Sequence, residues 1–308
     1  MSELAFEAMG SSVRIVAEAP LTSSAWIELD EARSWTAAFS RRLSRFVPDS
    51  ELCALNGDRR EVVPASELLR AAIGAGLWAA QRTGGLVDPT LLGALEAAGY
   101  RDSRTCAAPC SLHEALCTAP PRRPAAPDPS ARWRSVRVLE SAIARPPGVR
   151  LDTGGTGKGL AADALLRVLR GFGRVAIDCG GDVRIGGALA DDHPFAVDVQ
   201  HPLTGDIVMS LELGAGGIAT SGIDRNVWRR PDGTYAHHLL DPATGEPAWT
   251  GLVGATAIAP TALEAETLAK AALLSGPEEG RALLAEHGGV LLSEDGSAEP
   301  IGVLELVA

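Results

Sequence analysis

Beyond residue 135 the sequence runs as short apolar segments punctuated by glycine, aspartate, asparagine and proline, a rhythm that suits strands and hairpin turns. Ser135 to Ser141, Arg174 to Asp178, Asp182 to Ile185, Phe195 to Gln200, Ile207 to Leu213, Val253 to Ala259, Gly289 to Leu292 and Val303 to Val307 read as strands. Among them lie a helix beginning near Lys158 and a helical pair, Ala262 to Leu274 and Pro277 to His287; Ser275 is placed to cap the second and Pro277 to occupy its first turn. Hairpin-like strands with few helices specify an α+β fold, because a doubly wound sheet alternates the two element types more strictly.

The first half reads differently. Val13 to Ala19 alternates as a strand. Ser24 to Phe46 has helical spacing, with Trp26, Ile27, Leu29, Trp35, Ala38 and Leu43 as its apolar positions. A second helix, Ala65 to Arg82, carries Leu68, Leu69, Ala72, Ile73, Leu77 and Trp78 and stops at Gly84 and Gly85. Residues 118 to 132, TAPPRRPAAPDPSAR, hold too much proline for either periodic structure and read as a surface connection inside one domain spanning residues 1–308.

A formal net charge of −11 argues against nucleic-acid binding, which draws on clustered lysine and arginine. No run of about 18 apolar residues occurs, so no membrane span is expected. Acidic residues stand where a secretory leader would carry its basic region, so the chain is read as cytoplasmic. Five cysteines, Cys53, Cys106, Cys110, Cys117 and Cys179, fit reduced thiols in that compartment. Cys106, Cys110, His113 and Cys117 lack the paired spacing of a zinc knuckle, and no zinc site is expected there.

The stretch LDTGGTGKGLAAD, Leu151 to Asp163, resembles a phosphate loop without being one of the common types. Asp152 stands where a P-loop needs its first glycine and Gly159 where it needs a hydroxyl, and the glycines do not give the dinucleotide fingerprint. Glycines at a helix start nevertheless offer free N–H groups to an anion. Four further stretches are locally unusual: AMGSSV, GGLVDPT, GGIATSGIDRNVW and YAHHLLDPATGEP. Each alone is an ordinary turn or strand end.

Together and in this order they resemble the FAD:protein FMN transferases, the ApbE-like family. Met9 and Gly10 match its M-G-T, with Ser11 for Thr. LSRFVPDSELCALN, Leu43 to Asn56, matches F-S-x-x-x-P-x-S-E-L-x-x-L-N, and GGLVDPT matches G-G-x-F-D-P-T. LDTGGTGKGLAAD matches D-L-G-G-I-A-K-G-x-x-x-D. Asp178 to Gly187 fits the G-G-D strand turn, TSG is identical, and HHLLDPATGEP matches H-H-I-I-D-P-x-T-G-x-P.

The resemblance implies a T-fold-like α+β architecture with mixed and antiparallel sheets and packed helices. It implies an enzyme that moves FMN from FAD to a Thr or Ser hydroxyl of an acceptor flavoprotein and releases AMP. The alternatives are an FAD-binding paralogue that has lost metal-dependent transfer, and an FAD pyrophosphatase. His238 is the implied base, with a pKa suited to neutral pH, and Asp241 orients it or the turn around it; His237 is read as exposed. Met9, Glu51, Asn56, Asp88, Gly155, Lys158, Asp163, Asp182, Thr220, Ser221 and Lys270 are expected to line or brace the FAD site.

One segment departs from the pattern. The family's magnesium ligands lie in A-D-x-x-x-T, and the aligned stretch here is AETLAK, Ala265 to Lys270. Glu266 and the carbonyl of Gly157 remain as metal-ligand candidates, but an ammonium at Lys270 has no lone pair for magnesium. The i, i+4 spacing pairs Glu266 with Lys270 beside the phosphates, and magnesium dependence is expected to be weak or absent.

Overall fold

The computed structural model of the chain describes residues 2–18, 23–103 and 110–302. Its centre is an eight-stranded sheet whose strands lie in the order Ser2–Ala8, Ser11–Glu18, Arg174–Cys179, Asp182–Gly186, Gly216–Gly222, Leu252–Ala259, Gly289–Ser293 and Ala298–Ile301. Every neighbouring pair in it is antiparallel. The α+β reading holds, and the sheet follows chain order with helical insertions between its halves.

Two tight hairpins set one end of this sheet. Ala8 faces Ser11, so Met9 and Gly10 alone make the turn; both have positive φ, 55° and 70°, the geometry whose twist matches paired strands. Gly180 and Gly181 turn the chain between Cys179 and Asp182 in the same way, with φ of 72° and 97°. The two tips meet: a Cβ on Gly180 would lie 2.5 Å from Ser11 Oγ. Glycine is required there twice over, by conformation and by space.

Helices Gly157–Val168 and Ala262–Leu284 pack together against this sheet. Their crossing is close because Gly159 has no side chain: a Cβ there would sit 2.6 Å from the carbonyl oxygen of Ala262 and 2.8 Å from Leu263 Cα. Asp163 fastens the same crossing by accepting the backbone N–H groups of Ala262 and Leu263 at 3.0 and 3.1 Å. These N–H groups belong to the first turn of the partner helix and have no intrahelical acceptor, so a carboxylate there satisfies donors and favours the positive end of the helix dipole. Arg184 lies 3.1 Å from the same carboxylate and balances its charge.

Several sequence expectations shift. The helical pair stands, but its second member ends at Leu284: the run Ala262–Leu284 breaks at Gly276 (φ 79°, ψ −179°) ahead of Pro277, whose ring and missing N–H interrupt the ladder. Residues 135–141 hold only Arg137–Val138, and the chain returns through Ala142–Ala144. Helix Ser23–Leu43 buries Leu29, Ala32, Thr36, Phe39 and Leu43, a stripe rotated from the expected one, while Trp26 and Ile27 are exposed. The helix stops at Leu43, freeing Ser44 to Val47 to line the central cleft. Helix Glu67–Arg82 begins behind Ser66, which accepts from the N–H of Leu69. Cys106 and the expected strand Val303 to Val307 lie outside the described residues, as does Ala19 at the end of the first expected strand.

Candidate active site

A cleft of about 1720 Å³ opens where the two hairpin tips, the glycine loop and the helix Ala262–Leu284 converge. Of the residues singled out in the sequence, Met9, Asp88, Gly155, Gly157, Lys158, Asp182, Thr220, Ser221, His238, Glu266 and Lys270 line it. Chain segments more than 250 residues apart in sequence therefore share one cavity, because the sheet brings its central strands side by side and Met9 turns at the same end as Gly180.

Four expected residues stand behind the wall. Asn56 spans to Leu151 with a pair of hydrogen bonds, its amide donating to the carbonyl and its oxygen accepting the N–H, both at 2.8 Å. It thereby fixes the strand-like entry to the glycine loop as a second backbone would. Glu51 accepts the N–H and hydroxyl of Ser66 and pairs with Arg42. Asp163 holds the helix crossing already described. Asp241 is buried, and its oxygens accept from the N–H groups of Ala126 and Ala243 and the hydroxyl of Thr244. Those bonds belong to the turn and tie it to the proline-rich segment; none goes to His238, so of its two expected tasks Asp241 performs the bracing of the turn.

The charged centre is compact. Glu266 is 1% exposed, and its two oxygens take the N–H of Gly159 at 2.9 Å and the ammonium of Lys270 at 2.8 Å. Lys270 is 13% exposed, so neither residue lies on a solvated helix face. Asp182 is also buried; burial, with Glu266 nearby, pushes its carboxyl up to about 7 against the opposing pull of Lys158 and Lys270. Glu266 and Gly157, the two metal-ligand candidates, both line the cleft. Both carboxylate oxygens of Glu266 already have donors, and among the described residues no group of three or more His, Cys, Asp or Glu side chains could hold a metal.

His238 lines the cleft with its Nδ1 unpartnered. Its pKa is not the neutral-range value expected: burial lowers it to about 3, with His237, Lys270 and Lys158 adding to the drop. The ring is neutral at pH 7, and Nδ1 is available as an acceptor in one tautomer. Ser221 and Asp88, which also line the cleft, carry two more buried and unpartnered polar atoms, the Ser221 hydroxyl and Asp88 Oδ2; burial raises the Asp88 pKa. Thr220 instead shares a hydrogen bond of 2.8 Å with Thr256 on the next strand.

His237, read as exposed, is fully buried and meets the ring of Trp249 edge-on at 4.6 Å. Burial pushes its pKa down to about 3 from the ordinary 6.5. Between those values the unfolded chain binds a proton that the folded chain does not, so stability falls as pH drops from about 6.5 toward 3. Denaturant titrations at pH 7.5 and 5.0 should show the loss, and His237→Gln should have a shallower pH dependence. Equal slopes for both proteins would contradict this assignment.

Residues not singled out in the sequence complete one wall. The Arg45 guanidinium lies 4.1 Å from the Phe46 ring centroid and 4.4 Å from that of Tyr100, with Asp152 at 3.7 Å. All four line the cleft. Their signal was present in the LSRFVPDSEL stretch, whose helix termination presents Arg45 and Phe46 to the cavity; Tyr100 stands in no motif and only folding brings it there.

Fold and cavity together define an α+β protein with a cleft lined by both acidic and basic side chains. The sequence profile of the ApbE family matches residues 9–292, and the chain belongs to that family. The FAD:protein FMN transferase of Klebsiella pneumoniae (strain 342) is 34% identical over 146 residues, a match that covers 46% of this chain and 41% of that protein. The match to such relatives thus spans about two fifths of their length. The corresponding protein of Treponema pallidum (strain Nichols) is 26% identical over 264 residues, covering 79% of this chain and 69% of its own. The crystal structure of the ApbE protein from Thermotoga maritima superposes with a TM-score of 0.79 at 26% identity, covering 97% of this chain and 96% of the other.

Proposed function

We propose that this protein is a flavin transferase that takes FAD, moves its FMN half to a Thr or Ser hydroxyl of an acceptor flavoprotein, and releases AMP. The observation that carries the reading is the cleft itself, lined by a glycine-rich helix start, two lysines and His238, whose Nδ1 is unpartnered. Its volume of about 1720 Å³ exceeds the roughly 300–1,000 Å³ usual for small-ligand pockets, leaving room for a dinucleotide and an acceptor segment. The names of the relatives support the same reading.

In this reading Lys158, Lys270 and the N–H groups near Gly155 and Gly157 receive the diphosphate, while Met9, Asp88, Asp182, Thr220 and Ser221 contact the dinucleotide or shape its bed. Glu51, Asn56, Asp163 and Asp241 hold those elements in place. The acceptor hydroxyl oxygen attacks the phosphorus on the FMN side. The bond from that phosphorus to the bridging oxygen breaks, its electron pair leaves on AMP, and the hydroxyl proton passes to His238 Nδ1. Diphosphate charge offsets the lysines that depress the imidazole, so binding raises its basicity when it is needed. No step is routed through magnesium, since the residues at that position do not fit it. Cytoplasmic action belongs to this reading and rests on the odd number of cysteines, five, in the sequence.

Incubation with FAD and a Thr-containing acceptor domain, followed by denaturation and chromatography, tests it. Flavin fluorescence that stays with the acceptor, with AMP in solution, is the expected result. Free FMN with AMP would identify a pyrophosphatase instead, and intact bound FAD a binding protein.

A further inference from the structure

We propose that Lys270 is a built-in cation of the cleft, which together with Lys158 neutralises a bound diphosphate without a divalent metal ion. The inference rests on the flavin-dinucleotide reading above and specifies how the charge of that ligand is met.

The buried carboxylate of Glu266 is the starting point. At 1% exposure it needs partners, and it has one on each oxygen: the Gly159 N–H at 2.9 Å and Lys270 Nζ at 2.8 Å. A divalent ion approaching Glu266 would have to displace the ammonium while remaining beside its positive charge. Lysine offers three donors and no lone pair, so Lys270 cannot supply an oxygen ligand to a hard cation. The geometry that excludes the metal at the same time supplies a charge. Lys270 lines the cavity with Glu266 as its single described acceptor, which leaves donors for a ligand.

The surroundings agree. Lys158 lines the same cavity, on the first turn of helix Gly157–Val168, whose leading N–H groups favour an anion. Glu266 orients Lys270 through the i, i+4 pair and is itself fixed by Gly159, so the ammonium is preorganised by the helix crossing. A diphosphate diester carries about two negative charges at neutral pH; Lys158 and the remaining donors of Lys270, whose charge is shared with Glu266, meet part of it.

The test is FAD binding followed by flavin fluorescence, first in buffer with a chelator and then with added magnesium chloride. Wild-type protein is expected to bind FAD with less than about a twofold change between the two conditions. Lys270→Met in chelator should bind about tenfold or more weakly, the loss of a charge-assisted contact. Because that variant leaves Glu266 buried and unpaired, the double variant Glu266→Gln, Lys270→Met is measured beside it. The glutamine oxygen keeps the Gly159 bond, thermal melting reports its fold, and the same loss of affinity is expected. Wild-type binding that disappears with chelator and returns with magnesium would overturn the inference, as would undiminished affinity in the folded double variant. Both results leave the flavin reading standing. Wild-type protein that binds no FAD in either condition would overturn that reading and this inference with it.

Discussion

Replacing His238 with alanine is expected to lower the rate of flavin transfer by about 10²–10⁴-fold, the usual contribution of a positioned general base. FAD affinity should change only a few-fold, because the diphosphate charge is met by lysines and backbone N–H groups that the substitution leaves in place. The unpartnered Nδ1 and the cavity position make His238 the side chain best placed to take a proton. Burial holds its pKa at about 3 and keeps it neutral, and bound diphosphate weakens the smaller contributions of Lys270 and Lys158. The acid limb of the rate against pH should therefore fall above pH 3 with FAD bound. Single-turnover measurements with saturating FAD separate the chemical step from binding; a variant with undiminished single-turnover rate would remove His238 from the mechanism.

The second large effect is structural. Gly159→Ala should destabilise the fold by about 1–3 kcal/mol, the range for an added methyl group in a packed interior. The new Cβ would press on the backbone of Ala262 and Leu263, which has no side chain to swing aside. It would also spread the crossing that brings the Gly159 N–H to Glu266, so FAD affinity should fall with stability. Gly157→Ala is the control: nothing lies within 4 Å of a Cβ there, and its stability should stay within about 0.5 kcal/mol of the wild type. Denaturant midpoints for the two variants check this, and equal midpoints would show that the helix crossing tolerates more volume than its geometry allows.

The contrast between these glycines shows how far the sequence could be read. LDTGGTGKG marked a helix start and an approach of backbone to an anion, and the loop does line the cleft. That Gly159 serves helix packing was invisible, since its neighbour Ala262 lies about a hundred residues further on. The helix Glu51–Gly57 escapes periodicity because seven residues barely make two turns, although Ser50 caps it, whereas the strand Ser2–Ala8 was legible in the alternation of Leu4, Phe6 and Ala8. The Glu266–Lys270 pair was legible because i, i+4 spacing is local. The burial of His237 and the depressed pKa of His238 were not, because both come from burial, with Lys270 and Lys158 brought near His238 only by folding. Tyr100 and its contact with Arg45 are of the same kind, long-range consequences of a loop whose own sequence is unremarked.

A crystal structure of the protein with FAD bound, grown in chelator, tests the central claim most directly. The account predicts the diphosphate between Lys158 and Lys270, with the FMN-side phosphorus facing His238 Nδ1 and no metal ion bridging Glu266. FAD seated outside this cleft, or a diphosphate that contacts neither lysine, would contradict it.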